Sequence, residues 1–336
     1  MKLANAVLLL ELVCLAGAEV QKWIVFSSFA NKKVFAVPAP QSSAAEPDAE
    51  EAGKGMIELA ADFSEPVGVA IGGVARGQPV LYVADVGKKT ILAFDINVAS
   101  DSISLTKPER VVVRNQPARW LAVDRWDNLF YTNEETNTVM KVDSKTLRAG
   151  KQESVKVYDQ TTKLVNVPGG IAVDNYYVYW GNKVDGQVHG SVIKGFEDPP
   201  ADAGPSSAAM LAKNSLSTVG VCAAASNIFF TNPGAGHVYG IKKAGGDVAV
   251  VTSRASSPKG CGWDGDGTMF LADEAGDAIF SFPANQQVIA PMHHVTHVAQ
   301  LEAGTGPTGL VVFTAYGNAG GFAVLASFAL AMLSWQ

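Results

Sequence analysis

Short apolar runs alternate with turn-forming clusters along most of the chain, and the segment from Pro117 to Asp143 shows the unit in full. Trp120 to Val123 is apolar, and Asp124-Arg125-Trp126-Asp127-Asn128 is a turn. Leu129 to Thr132 is a second apolar run, and Thr138 to Val142, after a polar turn, is a third. Short apolar runs bounded by Asp, Asn and Gly predict strands joined by hairpins.

The same unit recurs. Pro66 opens PVGVA, followed by LYVAD at Leu81 and TILAFDI at Thr90; Pro168 opens PGGIAVD, followed by VYWGN at Val178 and GQVHGSVI at Gly186. Two weaker copies are in phase: STVGVCA from Ser217 with NIFFTN and GHVYGIK, and PKGCGWD from Pro258 with TMFLAD and DAIFSF. The anchors Pro66, Pro117, Pro168, Thr218, Pro258 and Pro307 lie 51, 51, 50, 40 and 49 residues apart, the period of a four-stranded propeller blade. This gives five full blades and a remainder. GPTGLVVF from Gly306 is a first strand with nothing after it, whereas KWIVFSS from Lys22 and KKVFAVP from Lys32 lack a first strand before them. Joining the two ends predicts an all-β, six-bladed β-propeller over 19–316, closed by its termini, which leaves no open sheet edge.

The ends of the chain have a different pattern. Residues 1–18 read as a signal peptide: Lys2, an apolar run from Leu3 to Leu15 interrupted by Asn5 and Glu11, then Ala16-Gly17-Ala18. Residues 317–336 read as a C-terminal apolar tail. Phe322 to Trp335 as a helix would reach only about 21 Å, short of the roughly 30 Å hydrocarbon core. The small residues Gly317 to Gly321 ahead of it resemble a lipid-anchor attachment signal, although the polar spacer is missing; insertion in a membrane and packing on the propeller are the other readings.

Charge changes the picture little. The net −6 includes a local −3 from Glu46, Asp48, Glu50, Glu51 and Lys54 within an acidic low-complexity loop over 39–55, and Phe196 to Ala208 reads as a second solvated insert. The remaining body has no basic field, which excludes nucleic acid as a partner. Cys222 and Cys261 occupy first strands of consecutive blades and either pair as a disulfide or stay as buried thiols. There is no Asn-x-Ser/Thr acceptor, no G-x-S-x-G and no H-E-x-x-H.

The pattern P-x-G-[IV]-A-V-D followed by L-Y-V-A-D, at Pro66 to Ala70, Leu81 to Asp85 and Pro168 to Asp174, resembles the NHL repeat. FYTN at Phe130 and VYWGN at Val178 resemble degenerate YWTD repeats, and the likeness to these TolB-like propellers spans nearly all of residues 22 to 313. The resemblance implies architecture and leaves function open, because the fold hosts binding modules and enzymes alike. Gluconolactonase-like members hold a divalent cation on the axis, and strictosidine synthase-like members use an acidic residue in the channel. The residues that lead the inner strands here are Val67, Arg119, Gly169, Val219, Lys259 and Thr308, and none is a carboxylate. Oxygen ligands for a cation such as calcium would have to come from Asp85, Asn133, Asn182, Asn232 and Asp273, which align at the ends of the second strands. One Asp or Asn per blade is also what a strand-ending turn requires. The same turn reading covers Asp264-Gly265-Asp266-Gly267. His293, His294 and His297 fall on a fourth strand far from the axis, and His189 and His237 on third strands.

Among the apolar residues, Trp120, Ile171, Val221 and Phe229 read as blade-to-blade packing, with Trp126, Trp180 and Trp263 either core or rim. The sequence therefore supports a secreted or cell-surface propeller that binds a protein or small molecule on its channel face. Arg119 and Lys259, with Glu134 and Glu274 nearby, are the expected ligand contacts. A metal-dependent hydrolase or lyase is the alternative.

Overall fold

Alternation of period two sends successive side chains of a strand to opposite faces of its sheet, so each blade can pack on both neighbours at once. The computed structural model of the chain describes residues 20–40, 55–99, 102–184, 190–200, 207–213, 217–292, 295–318 and 321–323. Six antiparallel blades form a ring. Counted outward from the axis, blade 1 is Pro66–Gly72, Val80–Asp85, Thr90–Val98 and Arg110–Arg114, with Ile103–Leu105 paired to the far end of its third strand. Blade 2 is Ala118–Val123, Leu129–Asn133, Thr138–Val142 and Val155–Tyr158; blade 3 is Pro168–Val173, Tyr177–Asn182, Ser191–Phe196 and Ala208–Ala212. Blade 4 is Val221–Ala223, Asn227–Asn232, His237–Lys242 and Ala249–Thr252; blade 5 is Pro258–Trp263, Thr268–Asp273, Ala278–Pro283 and Thr296–Gln300.

Blade 6 is assembled from both ends of the chain. Pro307–Asn318 is innermost and pairs with Val20–Ser28, in register from Val20 opposite Tyr316 to Phe26 opposite Leu310; Lys33–Pro38 and Ile57–Ala60 follow outward. The inner strand runs on to Asn318, and Gly321–Ala323 pairs back on its end, so the first residues of the apolar tail are strand. The signal segment, the acidic loop over 41–54 and residues 324–336 lie outside the described residues. Among the described residues no helix is long and apolar enough to cross a membrane.

The core is six cores, one per seam between blades. Trp120 and Phe130 of blade 2, for example, bury against Ile171 and Trp180 of blade 3, and Phe229 of blade 4 against Leu271 of blade 5. Near the axis the inner strands come together backbone to backbone. Gly68, Gly170, Gly220, Gly260 and Gly309 share one register position; a Cβ on Gly220 would stand 2.1 Å from the Lys259 carbonyl oxygen, and one on Gly309 would stand 2.0 Å from that of Val67. Only blade 2 departs, with Trp120 there, and the neighbouring strand of blade 3 carries glycine twice, at Gly169 and Gly170.

The seams are fastened by buried hydroxyls and by ion pairs. At seams 2–3, 4–5 and 6–1, a fully buried hydroxyl bridges the inner strands. Thr132 donates to the Gly169 carbonyl at 2.8 Å, Thr231 to that of Lys259 at 2.8 Å, and Ser27 to that of Val67. The same position in the other three blades is Ala84, Gly181 and Ala272. Those other seams, 1–2, 3–4 and 5–6, are clipped by ion pairs at the hairpins: Arg76 to Asp127, Lys243 to Asp174 at 3.0 Å, and Lys22 to Asp264 at 2.6 Å; seam 2–3 has ion pairs besides its hydroxyl, Lys141 to Asp198 at 2.5 Å and Lys183 to Glu134. Cys222 and Cys261 are joined as a disulfide across seam 4–5, with Cα atoms 5.9 Å apart.

Two local expectations need correction. The third strand of blade 3 begins at Ser191, which pairs with Asn182 as His237 pairs with Asn232, so His237 has no equivalent at His189. His189, His293 and His294 lie outside the described residues, and His297 sits on the fourth strand of blade 5. The insert from Phe196 is not wholly solvated: Glu197 and Ser207 at its two ends are buried.

Candidate functional site

All six inner strands run in the same direction along the axis, so their starts share one mouth of the ring and their ends the other. The ends enclose a funnel of about 620 Å³. Its walls are apolar, from Ile71, Val123, Val173, Ala223, Trp263 and Val311, and its rim is polar, from the hairpins that follow the inner strands.

Hairpin chemistry positions the rim. Asp124 accepts amides from Trp126 at 2.9 Å and Asn128 at 2.8 Å, and Asp264 accepts from Asp266, Gly267 and Thr268, each at 2.9 Å. These are turn-forming carboxylates, as the sequence indicated for Asp264 to Gly267. Asp174 takes the Tyr179 hydroxyl at 2.8 Å and the Lys243 ammonium on the same carboxylate oxygen, while its other oxygen accepts the Tyr177 amide. Burial works to raise the Asp174 carboxyl, but Lys243, Tyr179 and the Tyr177 amide outweigh it and hold it below the usual range. Tyr179 is pushed up in turn, by burial first and then by Asp174.

Beneath the rim, Glu197 accepts the Asn175 amide at 3.0 Å. Burial, and then the Asp124 and Asp174 carboxylates, push Glu197 up to about 8 against the opposing Asn175 amide and Lys141. Asn175 also accepts the Arg125 amide of the adjoining hairpin at 2.9 Å, while the Arg125 guanidinium lies 4.2 Å over the exposed Trp126 ring. Trp180 is fully buried and Trp263 lines the funnel.

The residues singled out in the sequence fall elsewhere. Arg119, Glu134, Lys259 and Glu274 surround the mouth at the starts of the inner strands, and none of them lines the funnel. Arg119 pairs with Glu134 at 3.2 Å and Lys259 with Glu274 at 3.1 Å. Lys183, which the sequence reading passed over, shares Glu134 with Arg119.

The five aligned Asp and Asn side chains each bond within their own blade or the loop leading into it. Asp85 accepts amides from Ser64 and Glu65, both at 2.9 Å, and Asp273 from Ser256 and Ser257 at 2.8 and 2.6 Å. Asn182 accepts the Asn166 amide at 3.0 Å and donates to the Leu164 carbonyl at 2.9 Å; Asn133 accepts from Thr136 and Asn232 from Ala235, each at 3.1 Å. Among the described residues no three His, Cys, Asp or Glu side chains group as a metal site.

The funnel was not legible because its rim is built from hairpins that differ in length and sequence between blades. One signal was available: the residue after A-V is Asp in both Ala122-Val123-Asp124 and Ala172-Val173-Asp174.

No protein-family model matches the chain, and no curated protein matches it. Among solved structures, a chain in the crystal structure of a nidogen/laminin complex matches with a TM-score of 0.63 at 13% identity, covering 87% of this chain and 98% of the other. A gluconolactonase from Xanthomonas campestris matches with a TM-score of 0.58 at 13% identity, covering 85% of this chain and 95% of its own. Likeness at that identity is likeness of fold. The chain is a six-bladed β-propeller of the architecture found in the nidogen propeller and in that gluconolactonase.

Proposed function

We propose that the chain is a binding module of the secretory pathway or cell surface, holding a small molecule or a segment of a partner protein on its axis. The observation that carries this reading is the funnel. All six blades build it, its walls are apolar, and its polar groups are fixed by hairpin amides and ion pairs, which is how a preformed ligand pocket is made. The likeness to a chain from a nidogen/laminin complex supports a protein partner. The disulfide supports an oxidising compartment. Attachment to a membrane through residues 317–336 belongs to the same proposal.

A metal-dependent hydrolase or lyase fits the residues less well. Both oxygens of Asp85 and of Asp273 already accept backbone amides, so the aligned donor set has few oxygens left to offer a calcium ion.

Native mass spectrometry and metal analysis of the full chain test the reading. The expected result is an organic mass retained by the wild type and lost from Ala223→Trp, whose indole fills the funnel. A tightly held divalent cation together with turnover of lactones would replace the binding reading with the hydrolase.

A further inference from the structure

At the mouth where the inner strands start, the register position of Arg119 in each blade and the residue after each second strand form two rings around the axis. Blade 2 supplies Arg119 and Glu134, and blade 5, across the ring, supplies Lys259 and Glu274. Blade 3 supplies Gly169 and Lys183, a lysine where blades 2 and 5 have glutamate, and Lys183 pairs with Glu134, which also holds Arg119. Blades 1 and 4 carry only apolar residues at these positions, with Val67 and Val219 in the first ring.

Three cations thus face two carboxylates, and all five side chains are only 22–35% exposed. Burial pulls the Lys183 ammonium below the usual lysine range. Glu134 opposes the shift, but Arg119 and Lys259 add to it by repulsion. Arg119 and Lys183, from two blades, share the single carboxylate of Glu134, and Lys259 stands at the same mouth on the blade opposite; a guanidinium and an ammonium that share one carboxylate, with a further ammonium at the same mouth, suit a small oxyanion.

We infer that Arg119, Lys183 and Lys259 form a second binding site, separate from the funnel, for a small oxyanion of the carboxylate or phosphate class. None of its residues is shared with the funnel, so the two readings stand or fall apart.

Isothermal titration of the full chain with inorganic phosphate and, separately, with benzoate at low ionic strength tests the site. The wild type is expected to bind at least one of them, and which one it prefers identifies the class. Lys183→Met and Arg119→Val should each weaken binding at least tenfold, and Ala223→Trp should leave it unchanged. Valine is what blades 1 and 4 carry at the Arg119 position, so that variant should retain the fold. NMR titration of the Lys183 side chain in the wild type gives a second readout: the anion should move its titration upward. No heat from either anion, wild-type affinity in both variants, or a Lys183 titration that ignores the anion would each overturn the site.

Discussion

The Lys22 ammonium lies 2.6 Å from a carboxylate oxygen of Asp264, joining residues 242 positions apart in the chain and tying the N-terminal strand of blade 6 to the hairpin of blade 5. Burial works to raise the Asp264 carboxyl, yet Lys22 and three hairpin amides hold it below the ordinary aspartate range. A carboxyl depressed in the folded state contributes stability above its unfolded value, near 3.9, and loses it as pH falls through the lower folded value. Lys22→Ala should therefore cost about 1–2 kcal/mol at pH 7 and less at pH 3. Urea unfolding at the two values checks this, and an equal cost at both would remove the ion pair from the account.

Glu197 has the opposite sign. Its carboxyl is pushed up to about 8, so between the unfolded value near 4.3 and 8 the folded chain binds a proton that the unfolded chain has released. Stability should fall as pH rises across that window and level off above it. Glu197→Gln keeps an acceptor for the Asn175 amide and removes the charge. It should match the wild type at pH 4 and exceed it by about 1–3 kcal/mol at pH 8.5. Parallel stability curves for the two proteins would show that Glu197 does not titrate in this range.

The Cys222–Cys261 bond closes a loop of 39 residues across one seam. Chain-entropy arguments assign such a loop about 3–4 kcal/mol. Reduction, or replacement of both cysteines by serine, should lower the melting temperature by several degrees without changing the far-UV spectrum. An unchanged melting point in reductant would mean that the seam is held by its side chains alone.

Glycine at the axis is a steric requirement. Gly220→Ala would place a methyl 2.1 Å from the Lys259 carbonyl, in backbone that the Thr231 hydroxyl pins on both sides. The variant should lose about 3 kcal/mol or more. Gly267→Ala, whose nearest neighbour would be the Asn285 side chain at 3.9 Å, is the control and should be close to neutral. Equal melting temperatures for the two would contradict the backbone-to-backbone packing.

The blades were legible because most of them carry the same short-range pattern, P-x-G at Pro66, Pro168, Pro258 and Pro307 and an apolar run ending in Asp or Asn in blades 1 to 5, and short-range patterns survive in sequence. The roles of Asp85 and Asp273 were legible for the same reason: their partners lie within about twenty residues. What sequence could not display is pairing at long range. Nothing near Lys22 points to Asp264, and Lys183 gains its role from Glu134, 49 residues away in another blade. Glu197 was hidden differently, at the edge of an insert whose Pro, Ala and Ser content indicated solvent, while its own side chain folds under the neighbouring hairpin.

The two kinds of fastening give the seams separate failure modes. Acid and salt act on charge, so they weaken the joints at Asp127, Asp174 and Asp264, and at seam 2–3 the pairs made by Lys141 and Lys183, while the hydroxyl joints of Thr231 and Ser27 carry no charge to lose. Blades 4 and 5, clasped through a hydroxyl and locked further by the disulfide, would be the last neighbours to part under those conditions.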